Sequence, residues 1–276
     1  MNDIIINKSN KFETFEDFVA QAKVPIPYKF SVSHRDNKDR NPWDGTNTFT
    51  EALDLANNGW PEGTNKVLAM RAKIDHIIKD LTNARSAAYV YDISGEFVDV
   101  GRYLTGEPEC FVKEDGYGNI NKPIVKIIVN VGASSSMSCE TLIARGVSVV
   151  AAIDILEALG RRVEAWIGKN TRCGNIRHEL LVNVKHANQP LDIDRLTFAA
   201  AHPACLRRLC FSILEQNKMN TSNCHSQEIK DDDAIVTDHL YRPYNLSTEE
   251  LLKAVAGMCA KAGVIISESE IKSLSK

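Results

Sequence analysis

Three serines on alternate positions, Ser134, Ser136 and Ser138, follow a strand-like apolar run and precede a long apolar helix pattern. The run ends on Asn130-Val131-Gly132-Ala133. Such a turn sets hydroxyls and free backbone N–H groups at the carboxyl edge of a parallel sheet, where α/β proteins hold ligands. Four readings compete. A divalent cation would need an acid beside the hydroxyls, and the turn holds none. Hydroxyls and an amide hold a hard cation weakly by themselves. An anion would use the N–H groups and hydroxyls, but no lysine in the turn completes a phosphate loop. A nucleophile elbow, Gly-x-Ser-x-Gly, begins correctly with Gly132 and Ser134, but Ser136 replaces its last glycine. His202 and His239 are only nominal bases for Ser134. In the fourth reading, Ser136 or Ser138 caps the helix and nothing more. The expectation is a degenerate metal or anion site of Asn130, Gly132, Ser134, Ser136 and Ser138, with no catalytic residue, no bound metal and no cofactor.

A second constellation lies at residues 161–186, where six basic residues face Glu164 and Glu179. Arg161, Arg162, Lys169, Arg172, Arg177 and Lys185 surround Trp166. Cations for phosphates with an aromatic platform for bases suit single-stranded nucleic acid; the plainer reading is a solvated strand and loop. Cys173, His178, His186 and the Cys224-His225 pair match no standard zinc spacing. Arg207 and Arg208 are expected to be structural, one pairing with a buried acid such as Asp192 or Asp194 while the other is exposed.

The elements that must position these residues divide the 276-residue chain in two. Residues 1–85 read as a helical and loop-rich N-terminal extension, with an amphipathic stripe at Phe15, Phe18, Val19 and Ala22. Thr48 to Glu51 reads as a capping box. A longer helix is predicted to run to about Asn83. Residues 86–276 read as an α/β core domain with a C-terminal helix opened by the capping box Ser247–Glu250. Within it, a hairpin signal sits at Ser94-Gly95, and Gly160 ends the long helix. Strands are predicted at 161–167 and 179–185. Residues 217–238 read as a polar, acidic surface loop.

Composition excludes some classes. The net charge of −3 is no bulk signature for nucleic acid or a membrane surface. No apolar run approaches the roughly 18 residues of a membrane span. Seven cysteines, an odd number without a Cys-x-x-Cys pair, fit free thiols in a reducing compartment. A cytoplasmic protein is expected.

Residues 132–137, Gly-Ala-Ser-Ser-Ser-Met, resemble the Asp-x-Ser-Gly-Ser-Met turn of von Willebrand factor A domains. In that family a metal bridges the acid and the hydroxyls, the following helix packs flat on the sheet, and an edge strand follows; the resemblance puts Gly132 at the acid position with Ser134 and Ser136 as the serines, or, two residues earlier, Asn130 with Ser134. Over residues 123–215 the resemblance implies a three-layer α/β sheet flanked by helices and a protein-interaction module with a degenerate metal site. Three further stretches are similar to a bacteriophage family known only as a domain of unknown function. They are Phe49-Thr50-Glu51-Ala52-Leu53 with Gly59-Trp60-Pro61-Glu62-Gly63, then residues 98–110 ending Gly106-Glu107-Pro108-Glu109-Cys110, and residues 129–166. That resemblance implies a phage accessory protein in the host cytoplasm, working through a phage or host protein partner. The alternatives are a single-stranded DNA-binding cofactor of phage transcription or replication, and a serine hydrolase at Ser134.

Overall fold

This computed structural model describes residues 5–25, 41–73, 89–95, 97–114, 124–219, 224–238, 246–264 and 266. In chain order they form β1 (Ile6–Phe12), α1 (Phe15–Lys23), α2 (Asn41–Asp44), α3 (Phe49–Asn58), α4 (Pro61–Ala72), β2 (Tyr89–Asp92), β3 (Phe97–Val98), α5 (Val100–Leu104) and β4 (Phe111–Glu114). Then come β5 (Ile124–Asn130), α6 (Cys139–Ala158), β6 (Arg162–Cys173), β7 (Ile176–Lys185), α7 (Ile193–Ala201), a π-helical turn (Cys205–Cys210), α8 (Phe211–Gln216), β8 (His225–Gln227), β9 (Ile235–Val236) and α9 (Thr248–Lys261). The predicted helix beyond Ala72 and His239 lie outside the described residues.

The main sheet runs β1-β7-β6-β5-β9. β5 pairs in parallel with both β6 and β9, β1 pairs in parallel with β7, and β6 and β7 form an antiparallel hairpin. β5 ends opposite Gly168, and β8 continues along β6 from Asn170 to Arg172. A second, three-stranded sheet has the order β2-β4-β3. The class is therefore mixed α/β, a parallel and antiparallel sheet flanked by helices.

α6 is buried nearly all round, as its apolar circumference predicts. Ser138 caps its first turn by accepting from the Thr141 N–H. Gly160 closes it at φ +77°, with the Arg161 N–H reaching back to the Leu156 carbonyl. One large core lies under α6: Ile127, Val129, Val163, Ile167, Leu180 and Val182 from the sheet meet Val150, Ile153, Phe198, Leu209 and Val255 from helices. α7 crosses close to α6 because position 146 is glycine; a Cβ there would lie 2.3 Å from Ala201 Cα. On the opposite face a small cluster joins Ile128, Trp166 and Ile229 to Leu181, Ala234 and Val236. No described helix residue enters that cluster, so a helical layer is described on one face only.

Several local expectations change. Ile6–Phe12, within the expected helical extension, is a strand whose register runs from Ile6↔Ile176 to Phe12↔Val182. Its residues Asn-Lys-Ser-Asn-Lys are polar, so hydrogen bonding to β7 and not apolar alternation makes it a strand. β6 and β7 are longer than predicted because their tips, 168–173 and 176–178, are polar too. The strand after α6 is internal to the sheet, not an edge. The segment 217–238 holds β8 and β9. Cys173 and Cys224 form a disulfide across 51 residues, which corrects the free-thiol reading for those two; Cys110, Cys139, Cys205, Cys210 and Cys259 are not in disulfides.

Candidate functional site

The serine turn starts where β5 stops. The Val131 N–H bonds to the Gly168 carbonyl, and the Gly132 N–H donates to Asn130 Oδ1 at 2.9 Å. Position 132 is closed to side chains: a Cβ would come within 2.8 Å of Asn130 Oδ1 and 3.2 Å of Ser226. An acid therefore cannot occupy it without rearranging the turn. Ser134 and Ser136 are exposed and share a hydrogen bond at 2.9 Å between their hydroxyls. Ser138 is spent on the helix cap and on Thr141 Oγ1.

The carboxylate near this turn comes from Asp238, just past β9. Its Oδ1 accepts from Asn130 Nδ2 and its Oδ2 accepts from the Ile229 N–H at 2.9 Å. Thr237 Oγ1 accepts from the Asn130 N–H at 3.1 Å. Both Asp238 oxygens are thus engaged with the loop and the Asn130 amide. Among the described residues there is no cluster of His, Cys, Asp and Glu that could hold a metal. Sequence reading missed Asp238 because it folded the residue into a polar loop; the short Ile235-Val236 pair before it was the available signal.

The back of the turn is pinned by residues far away in sequence. Trp43 Nε1 donates to the Ser135 carbonyl at 2.9 Å, and Arg207 Nη2 donates to the Met137 carbonyl at 2.6 Å. The Arg207 guanidinium stacks 4.4 Å over the Trp43 ring, and Trp43 packs on Phe211. Cys139, the first residue of α6, donates its thiol to the Trp43 carbonyl at 3.3 Å. Burial raises that thiol's pKa, against the lowering pull of Arg207. A thiol held in its neutral form is a poor nucleophile. Arg207 and Arg208 are both buried, and Arg208 pairs with Asp44, not with the acids expected: Asp192 caps α7 and Asp194 accepts from Thr64.

His202, the nominal base, is a packing residue. Its ring stacks on Phe198 and meets Trp60 edge-on, and its Nδ1 accepts from the Ala204 N–H. Burial pulls its pKa down to about 4. No described hydrogen bond joins a histidine to Ser134.

The basic residues of 161–186 do not share one surface. Trp166 is buried, its indole N–H on Glu164 and its ring flanked by Lys11 and Lys126. Lys185 is buried against Glu157 at 2.6 Å and the Val163 carbonyl at 2.8 Å. Lys169 is buried, with one hydrogen bond to Ser226 Oγ at 3.2 Å and the Phe211 ring beside it. Arg172 and Arg177 pair across the exposed hairpin tip, while Arg161 and Arg162 sit at the start of β6. At about 3.3 Å per residue the two ends of that strand are roughly 33 Å apart.

The small sheet is different in character. Tyr91, Val112 and Phe97 fall in one row across β2, β4 and β3. On α5, Val100, Tyr103 and Leu104 have the i, i+3, i+4 spacing of one helix face. That face points to solvent: Ile93 is 70% exposed, Phe97 66%, Val100 61%, Tyr103 61% and Leu104 77%. The sequence places a hairpin at Ser94-Gly95 in this stretch, but β4 lies between β2 and β3. A helical period of apolar residues between Asp99 and Gly106 was visible, but nothing local said which way it faced.

These features define an α/β protein with a sheet-edge serine turn and a separate exposed apolar face. The chain belongs to the family described as DUF7192, a domain of unknown function, whose model matches residues 4–264. No curated protein and no solved structure matches the chain. No helix among the described residues is long and apolar enough to cross a membrane.

Proposed function

We propose that this is a non-catalytic accessory protein of a bacteriophage-encoded assembly, acting in the host cytoplasm by binding another protein. In this reading its core is a von Willebrand factor A-like scaffold whose metal turn has become structural. The order strand, serine turn, packed helix and strand supports the scaffold. The closed position 132 and the mutual bonding of Ser134 and Ser136 support a turn that keeps its shape without a ligand.

The observation that carries the reading is the exposed apolar face of residues 91–104. Soluble monomers seldom present several large apolar side chains together unless the patch binds something. Docking of a partner would cover it.

A photo-cross-linking amino acid at position 103, in cells that make the protein together with its natural partners, tests this. Adducts should form at 103 in excess of those at the exposed control position 253. They should disappear when Phe97→Asp and Leu104→Asp are added. Equal labelling at both positions, or adducts indifferent to the two substitutions, would defeat the reading.

A further inference from the structure

The segment that carries the apolar face is strongly acidic in sequence. Residues 89–114 hold six acids, Asp92, Glu96, Asp99, Glu107, Glu109 and Glu114, against Arg102 and Lys113. Their net charge of −4 exceeds the −3 of the whole chain, so the remaining sequence is net positive.

Its arginine is used internally. The Arg102 guanidinium lies 3.7 Å over the Tyr91 ring, pairs with Glu107 at 3.3 Å and donates to the Glu109 carbonyl at 3.2 Å. Asp99 caps α5 through the Gly101 and Arg102 N–H groups and accepts from the Tyr91 hydroxyl at 3.0 Å. This network fastens α5 to the small sheet with its polar side. The stripe of Val100, Tyr103 and Leu104 is therefore held outward by bonded contacts.

We propose that this face docks a basic amphipathic segment of a partner protein, apolar residues seating against Phe97, Tyr103 and Leu104, and lysines or arginines meeting the acids of this segment. The inference rests on the interaction role proposed above. Charge complementarity selects this occupant. A second copy of the chain would bring −4 against −4, and like charges across an interface are disfavoured. Nucleic acid and anionic membrane surfaces meet the same repulsion.

The probe is a labelled amphipathic peptide with a leucine face and lysine flanks; its control carries glutamates in place of the lysines. Fluorescence anisotropy with the full chain should show binding of the lysine peptide, weakened by salt. Leu104→Asp should lower its affinity by about tenfold or more, as loss of a central anchor does. Glu109→Lys, which leaves the apolar stripe intact, should weaken it several-fold at low salt and little at high salt. Binding of the glutamate peptide as tight as that of the lysine peptide, or binding of neither, would overturn the proposal. So would a dimer in sedimentation that Leu104→Asp dissolves. Those outcomes bear on the partner's chemistry alone; the cross-linking at position 103 judges the interaction role, whatever the partner's charge.

Discussion

Arg208 and Asp44 meet at 3.2 Å with both side chains fully buried. Arg208 also donates to Thr46 Oγ1 at 2.7 Å and to the Thr46 carbonyl at 2.8 Å. The pair ties the π-helical turn to the end of α2, beside the residues that brace the serine turn. Removing one member leaves the other charge buried without its counterpart. Asp44→Asn and Arg208→Met should each lose about 3–5 kcal/mol of stability. Chemical denaturation measures this, and a loss below about 1 kcal/mol would show the pair to be dispensable.

Lys169 gives the opposite sign. No carboxylate among the described residues pairs with it, and burial pulls its pKa from 10.5 to about 8. Below about 8 the folded state carries a poorly solvated charge. Between about 8 and 10.5 the unfolded chain binds the proton more than the folded chain does, so stability rises with pH there. Lys169→Met should therefore stabilise the protein at pH 7, by at most about 3 kcal/mol. Its advantage over wild type should shrink as pH climbs past 8. Urea midpoints at neutral and alkaline pH check both halves.

His178 and His202 act on the acid side. Burial is the main cause that takes each from 6.5 to about 4, with Lys8 and Lys169 adding to the shift at His178. The stability of the neutral rings is present above 6.5 and is lost as pH falls toward 4, because the unfolded chain protonates first. The urea midpoint should drop steeply from pH 6.5 to 4.5. His178→Gln should make that drop shallower; an unchanged slope would mean the ring is protonated in the fold.

Two helical glycines separate packing from propensity. Gly146→Ala forces a methyl against Ala201 Cα and the Ala200 carbonyl, and should cost about 1–3 kcal/mol. Gly257 is exposed on α9, and a Cβ added there would meet nothing within 4 Å. Gly257→Ala should stabilise by about 0.5–1 kcal/mol. Thermal melts of the two variants should move in opposite directions.

The parts of this fold legible in sequence are those decided within one element. Residues 124–130 and 139–158 declare a buried strand and a doubly covered helix through apolar content. The Ser247–Glu250 capping box forms with both of its bonds. The Thr48 box is half formed: Thr48 accepts from the Glu51 N–H, but Glu51 reaches Asn47 instead. What sequence could not supply is pairing at a distance. β1 and β8 are polar strands recruited by β7 and β6. Trp43 reaches Ser135 across 92 residues, and no local spacing announces such a contact. The candidate site shows the same divide: its serines were visible, and the acid, tryptophan and arginine around them were not.

The placement of β1 has a consequence for synthesis. Its seven residues leave the ribosome well before their ladder partner, Ile176–Val182, which follows about 170 residues later. At roughly 5–20 residues per second that interval is of the order of 10–30 s. Throughout it the first strand has no template, and the sheet cannot be completed before the β6–β7 hairpin emerges. The β1 edge of the sheet is thus hydrogen-bonded only long after its own strand is made. An N-terminal fusion that restrains those residues should slow maturation more than a C-terminal one.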